Sequence, residues 1–527
     1  MAAHWLALCA ALAAGGALLL SLWWRRHSRR FARLGVPSVP PLPLVGNMLD
    51  VLLCRKSFTE IVRDLYQQLD PFPYGGVFSF TMPAVMVRDP ELIRSVTVKD
   101  FDHFTDHMDF FTTDKANPLL TRMLFALKGK EWHDMRTTLS PAFTSMKMKN
   151  MFVLISEIGQ QMVRHLTKEL AELRICSQKE KVLTLELRDF FRRVTNDVIA
   201  TTAFGVKVDS LSEPDNEFFT TGRDLSNISP FVSFGYFISA RMMEMLGIPF
   251  FSEKAVSFFK SLVVETIQTR EKQGIIRHDM IHLLMQARRG ELAPEDGQKN
   301  GTAEGKRRPD LTDEDIAAQA MIFFFAGFDT VSTALTFCSY LLATHQDVQR
   351  RLQREVDELM QKSGGQPSYE QVMACQYLDI VISETLRMYP PAPFLDRECV
   401  RTYRLPATDS CPSVELRPGD GIWVPVHGIH NDPKYFAEPD CFRPERFTAE
   451  NKQLIVPFTY SPFGSGPRVC IAQRFAIMEA KTLLLYLMSQ FNIEVVSKTL
   501  IPLKLDPGNS VSLSIKGGAW LGIRQRS

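Results

Sequence analysis

The sequence predicts a mainly α chain with small β-sheets. Long stretches of helical apolar periodicity lie at 148–172, 185–203 and 316–342. Strand-like alternation is confined to short pieces, at 75–87 and near the C-terminus. A Gly/Pro-dense loop, Phe463-Gly464-Ser465-Gly466-Pro467-Arg468-Val469-Cys470, precedes a further helical pattern running from Phe475 to Met488. Periods of 3.6 and 2 separate helix from strand, and Gly and Pro punctuate them.

Composition excludes several classes. The chain has 527 residues, 61 Lys and Arg against 59 Asp and Glu, and a net charge of +2, so no global field for nucleic acid exists. Nine scattered cysteines without a Cys-x-x-Cys pair argue against a disulfide framework and against structural zinc. Phe is abundant at 37, which suits apolar ligands as well as core packing.

In chain order, Trp5 to Trp24 is apolar or small apart from Ser21, long enough to cross a bilayer, and is followed by Arg25, Arg26, Arg29, Arg30 and Arg33. This reads as a single N-terminal transmembrane helix over 1–24 with the remainder in the cytosol. A cleaved signal peptide is the competing reading, because Ala11-Leu12-Ala13 is a passable cleavage site. The absence of Lys and Arg before the apolar run, and the cluster after it, favour the anchor. Residues 25–47 form a basic, proline-rich hinge, with Pro37 to Pro43 as a stiff extended spacer closed by Gly46-Asn47. Gly75 to Val87 is expected as two strands joined near Met82-Pro83, and Phe101, Phe104, Phe110 and Phe111 as loop with short helices. The stretch 218–259 is Phe- and Met-rich, broken by Pro230 and Pro249, and 288–310 is a charged surface loop. Thr312, with acids at 313, 314 and 315, is an N-cap for an apolar helix expected to be buried on every side. Val511–Ile515 and Trp520–Ile523 around Gly517-Gly518 read as a hairpin. No internal repeat or later domain boundary is evident, which leaves 48–527 as one domain.

Each chemical motif is weak by itself. Cys470, at the mouth of a helix N-terminus beside Arg468, is placed where N–H groups and the helix dipole favour a thiolate: a nucleophile, a redox thiol or a metal ligand. Gly464 and Gly466 allow backbone to press against a flat ligand or aim N–H groups at the sulfur. In the apolar helix, Gly327, Asp329 and Thr330 could open a pocket and relay protons; a packing glycine and a solvated acid are the bland alternative. Glu384 and Arg387 share a helical face, with Arg446 of Pro444-Glu445-Arg446-Phe447 as a third member. Trp132 and Arg136, four apart, offer donors for carboxylates, although a surface stack is as good a reading of the pair. His427 and His430 lack metal-binding company and read as loop residues. Phosphate-loop, dinucleotide, His-Glu-x-x-His and Gly-x-Ser-x-Gly templates are absent.

Taken together and in this order, the motifs resemble the cytochrome P450 family of haem-thiolate monooxygenases, from the proline hinge to the C-terminus. Ser140-Pro141-Ala142-Phe143-Thr144 and Thr195-Asn196-Asp197-Val198-Ile199 are most similar to the clan of vertebrate drug-metabolising and insect xenobiotic-metabolising enzymes, with details leaning towards an insect enzyme. The resemblance implies that fold, haem b as cofactor and Cys470 as axial ligand of the iron. It implies Trp132, Arg136, Arg397 and Arg468 at the propionates, Phe463 beside the ligand loop, and a buried structural triad of Glu384, Arg387 and Arg446. Asp329 and Thr330 would serve oxygen activation and proton supply. It further implies location in the endoplasmic reticulum membrane facing the cytosol, NADPH-cytochrome reductase and cytochrome b5 as electron-transfer partners, and a lipophilic substrate held by segments 101–125 and 218–259. Having both Asp329 and Thr330 favours oxygen chemistry over a haem-thiolate enzyme that only rearranges peroxides. One departure is Ala472, where the family usually has Gly.

Overall fold

A computed structural model describes residues 4–5, 15–16, 18, 21–108, 118–176, 181–277, 279–291, 311–508 and 512–526. Most of the expected membrane anchor, Phe110 and Phe111, almost all of the charged loop 288–310, and Val511 lie outside the described residues.

A mainly helical body carries three small sheets. The first has strand order β1-β2-β7-β4, from β1 (Tyr74–Ser79), β2 (Met82–Val87), β4 (Leu395–Glu398) and β7 (Gly421–Val424). β2 pairs with β7 in parallel and the other pairings are antiparallel. The second sheet is β3 (Leu183–Glu186), β9 (Trp520–Gln525) and β8 (Phe491–Glu494), with β9 in the middle. β5 (Tyr403–Leu405) and β6 (Val414–Leu416) form the third. The expected C-terminal hairpin is therefore corrected. Leu521 and Ile523 are fully buried between β3 and β8, and Ile515 instead bridges Leu505. β9 pairs along both sides with strands distant in sequence.

The basic, proline-rich segment lies on the first sheet. Phe31 packs edge-on against Phe78 at 5.4 Å, Arg30 pairs with Asp420, and Val39 N–H donates to Gly76 O at 3.0 Å. Gly76 is needed there, because a Cβ would meet the Phe31 ring at 2.2 Å.

The central helix spans Asp313–Thr344. Thr312 and Asp315 form a reciprocal capping box, at 3.1 and 2.9 Å, which satisfies two of the donors every helix start leaves open. Among the described residues it is the one helix long and apolar enough to cross a membrane, and it is a core helix, mostly buried inside the protein. It crosses the helix Leu187–Ile199 closely at Gly327, where a Cβ would lie 2.5 Å from Ile199 Cδ1. The expectation of burial on every side fails over 322–330. Ala326 and Thr330 are exposed, and what they face is an internal cavity.

Candidate active site

Two cavities meet on the central helix. One, of about 280 Å3, lies between Ala326 and Thr330 on one side and Phe463, Cys470, Ala472 and Phe475 on the other. The second, of about 430 Å3, shares Ala326, Thr330, Pro391, Ala392 and Leu395 with the first. Its wall is mostly apolar and includes Phe58, Phe125, Phe250, Phe251, Phe325 and Phe394. Only part of the Phe-rich sequence reaches it. Phe218, Phe219 and Phe259 instead pack on Phe324 and Phe328 in the core.

The cysteine loop is built by its glycines. Gly464 and Gly466 have φ of +82° and +72°, which L side chains adopt only with strain. Gly466 has a second reason: a Cβ would sit 1.7 Å from Thr97 O, on the π-helical turn Ser95–Lys99. Its closeness thus serves docking of the loop on that turn, rather than approach to a ligand. Ser465 Oγ adds a 2.9 Å bond to Thr97 Oγ1, and Cys470 N–H donates to Phe463 O at 2.9 Å. The following helix begins at Gln473 with Ala472 as its N-cap. Ala472 has φ of −95°, so its methyl is unstrained and forms part of the cavity wall.

The Cys470 side chain lines the first cavity. Burial pushes the thiol above its ordinary value, against the lowering effects of the Ala472 N–H and Arg136. The helix N-terminus alone therefore does not hold a standing thiolate. A bound metal cation, a far larger local charge, would.

Close to Cys470 in charge interaction, the fold gathers cations from remote positions. Arg468 donates from Nε to Thr105 O and from Nη2 to Leu127 O, both at 2.8 Å, and stacks 4.1 Å over the Trp132 ring. Burial and the neighbouring Arg397 and Arg136 lower its guanidinium to about 9, with Asp106 opposing. Arg397, 1% exposed, bonds Asp396 O at 2.6 Å, and its buried Nε has no hydrogen-bond partner among the described residues. The Arg136 guanidinium and the Trp132 indole N–H make no hydrogen bond among the described residues. Clustered guanidiniums with unused donors call for an anionic group with several acceptors. His107, which sequence reasoning missed, lies beside them: Nδ1 is 3.0 Å from Asp396 Oδ1, and its ring stacks on Phe125.

Beneath the cysteine loop, Glu384 and Arg387 are fully buried. Glu384 accepts from Arg387 Nε and Nη2 (2.8 and 2.9 Å), Arg446 Nε (3.2 Å) and Arg443 N (3.0 Å). Arg387 also donates to His430 O and Pro439 O. His427 and His430, expected in a loop, lie buried on the short helix Val426–His430. Burial and Arg387 push His430 down to about 3, so its neutral Nε2 accepts from Ser461 N–H at 3.0 Å and ties the ion pairs to the loop. No signal in the sequence marked that role.

Thr330 turns its hydroxyl onto Ala326 O at 2.6 Å, where the two cavities join. Asp329, which also lines the second cavity, pairs with Arg192 (Nε at 2.9 Å, Nη2 at 2.5 Å) and Arg188 (3.5 Å). Burial raises its carboxyl, but the two arginines outweigh that and hold it below the ordinary range. Neither arginine was legible as a partner in the sequence, since each is some 140 positions away.

A thiol on the wall of an apolar slot, arginines near it in charge interaction and a second apolar cavity adjoining it are compatible with a haem-thiolate site. The unpartnered donors of Arg397 and Arg136, and the thiol facing the cavity, fit haem and its two carboxylates. The family model for cytochrome P450 matches residues 36–521. Cytochrome P450 9e2 of Blattella germanica is 49% identical over 508 residues, covering 94% of each chain. Probable cytochrome P450 9f2 of Drosophila melanogaster is 38% identical over 98% of this chain and 99% of its own. Cytochrome P450 6j1 of Blattella germanica is 35% identical over 96% and 95%. The chain belongs to the cytochrome P450 family, whose enzymes are monooxygenases with haem b as cofactor.

Proposed function

We propose that the protein is a membrane-anchored microsomal monooxygenase of the endoplasmic reticulum that oxidises lipophilic small molecules: xenobiotics, hormones or lipids. Electrons come from NADPH through a flavoprotein reductase, with cytochrome b5 as a second donor. The observation that carries this reading is the junction of two cavities at Thr330, a slot with a thiol below it and a Phe-lined chamber above. Similarity to insect members of the family supports xenobiotics as the first class to test.

Bound haem supplies an iron centre that activates dioxygen, and thiolate ligation favours O–O cleavage. Cys470 is the ligand. Arg136, Arg397, Arg468 and Trp132 hold the two carboxylates, and Phe463 packs beside the loop. Glu384, Arg387 and Arg446 brace the loop from below. The Phe-lined chamber binds the apolar body of the substrate and excludes water from it. The Thr330 hydroxyl, bonded to Ala326 O, can hold and pass a proton where the cavities meet. Asp329 takes part in proton supply as an ionised acceptor fixed by Arg192 and Arg188.

The haem-loaded protein, reduced under carbon monoxide, is expected to show the red-shifted Soret band of thiolate ligation, and Cys470→His to lose it. Persistence of that band in Cys470→His would overturn the ligand assignment. Turnover of a lipophilic panel should require NADPH and reductase; turnover with hydroperoxide alone would instead identify a peroxide-rearranging enzyme.

A further inference from the structure

His107 has no part in the chemistry proposed for the site, yet its segment is tied to the arginines near Cys470. Arg468 donates from Nε to Thr105 O at 2.8 Å, and its Nη2 lies 3.6 Å from Asp106 Oδ1. Asp396 makes the third tie. Its Oδ1 is 3.0 Å from His107 Nδ1, and its carbonyl accepts from Arg397 Nη1 at 2.6 Å. One residue thus bridges an imidazole and a guanidinium.

The surroundings decide which ring nitrogen titrates. Asp396 Oδ2 also accepts from Met108 N–H at 2.7 Å. Burial raises the Asp396 carboxyl, but His107 and the Met108 N–H outweigh that and hold it below the ordinary range. An ionised carboxylate only accepts, so Nδ1 carries the ring proton and Nε2 is the atom that gains or loses one. Nε2 makes no hydrogen bond among the described residues. The His107 side chain is 15% exposed and lines the second cavity, which gives a proton a way in and out. Burial pushes the imidazole below its ordinary value; Asp396 opposes this, and Arg397 and Arg468 add to it. Beyond these, Asp106 is held by Gly129 N–H at 2.8 Å and by Arg468, and Lys128 and Glu398 pair with each other at 2.8 Å. The carboxylates of haem would offset Arg397 and Arg468, which returns His107 towards its ordinary value of about 6.5. It then titrates within the physiological range.

We propose that His107 is a proton-linked charge beside the cofactor: its imidazole takes up a proton when the haem iron accepts an electron, so that the reduction potential depends on pH. The inference rests on the haem-thiolate reading and deepens it. One electron from the flavoprotein reductase reduces the iron. One proton from solvent, entering by the second cavity, forms the Nε2–H bond, and no bond in the protein breaks. The added negative charge favours the imidazolium, so His107 holds its proton to higher pH with the iron reduced than with it oxidised. Between those two values the reduction equilibrium weakens as pH rises, by at most about tenfold per pH unit, and outside them it is flat. His107 acts only through the charge it places near the cofactor, which makes it a positioning residue.

The test is a spectroelectrochemical titration of haem-loaded wild type, His107→Gln, His107→Arg and Asp396→Asn between about pH 5 and 8. In the wild type the reduction equilibrium should fall several-fold across this range. His107→Gln, neutral throughout, should be pH-independent at the high-pH level of the wild type. His107→Arg, charged throughout, should be pH-independent and at least as easily reduced as the wild type at low pH. Asp396→Asn removes the carboxylate that favours the imidazolium and should move the sloping region to lower pH. A slope that persists in His107→Gln assigns the proton to another group and overturns the proposal. A pH-independent wild type whose reduced carbon monoxide complex keeps the red-shifted Soret band overturns it as well. A wild type without that band defeats the haem-thiolate reading itself, and the redox linkage with it.

Discussion

Replacing Arg192 by Met should reverse the pH dependence that Asp329 gives to stability. In the wild type the arginines hold the carboxyl below its ordinary value. Its contribution is therefore complete above the unfolded value of about 3.9 and is lost only as pH falls through the folded value. Methionine keeps an unbranched apolar side chain at this position but removes the guanidinium and with it both short bonds to Oδ1. Burial then dominates and the folded carboxyl rises above its unfolded value. Such a group destabilises increasingly as pH rises above about 4, with a slope of at most about 1.4 kcal/mol per pH unit. Removing one partner of a buried pair costs about 3–5 kcal/mol, and the remaining Arg188 puts this case at about 3. Unfolding entropy of about 2.1 cal/mol/K per residue gives about 1 kcal/mol/K for a chain of this size, so Tm should fall by about 3 °C at neutral pH. Matched calorimetric scans of the haem-loaded proteins between pH 5 and 8 would show the deficit growing with pH. Parallel Tm curves for wild type and Arg192→Met would refute the claim that Arg192 sets the charge of Asp329.

Glu384→Ala strands the fully buried Arg387 and should cost about 3–5 kcal/mol; a lower urea midpoint and poor yield of haem-loaded protein would report it, and an unchanged midpoint would exclude a bracing role. Gly466→Ala should abolish haem retention, because its Cβ would lie 1.7 Å from Thr97 O in addition to left-handed strain of about 1–2 kcal/mol. Gly464→Ala, whose nearest neighbour would be 3.6 Å away, should bear the strain alone and keep haem. Equal retention by the two variants would show that docking on Thr97 does not hold the loop.

The sequence by itself determined what depends on nearest neighbours along the chain. The Thr312 cap and the acids after it start the central helix where expected, since capping is a contact three residues long. The β1–β2 pair, the glycine loop before Cys470 and the Glu384–Arg387 pair on one helical face were legible for the same reason: φ/ψ preference and periodicity are local properties. Tertiary structure decided everything that required a partner from elsewhere. Asp329 became an anion because Arg188 and Arg192 arrive on a crossing helix. Gly466 is fixed by a carbonyl of the distant Ser95–Lys99 turn, β9 joined β3 and β8 rather than a neighbouring hairpin, and His430 became the neutral link between Arg387 and the cysteine loop. Even the thiol of Cys470 is governed by burial more than by the helix end beside it. Charge state and side-chain direction follow from desolvation and from which groups packing brings within about 3 Å, and hydrophobic patterning along one chain does not encode either at such sequence separations.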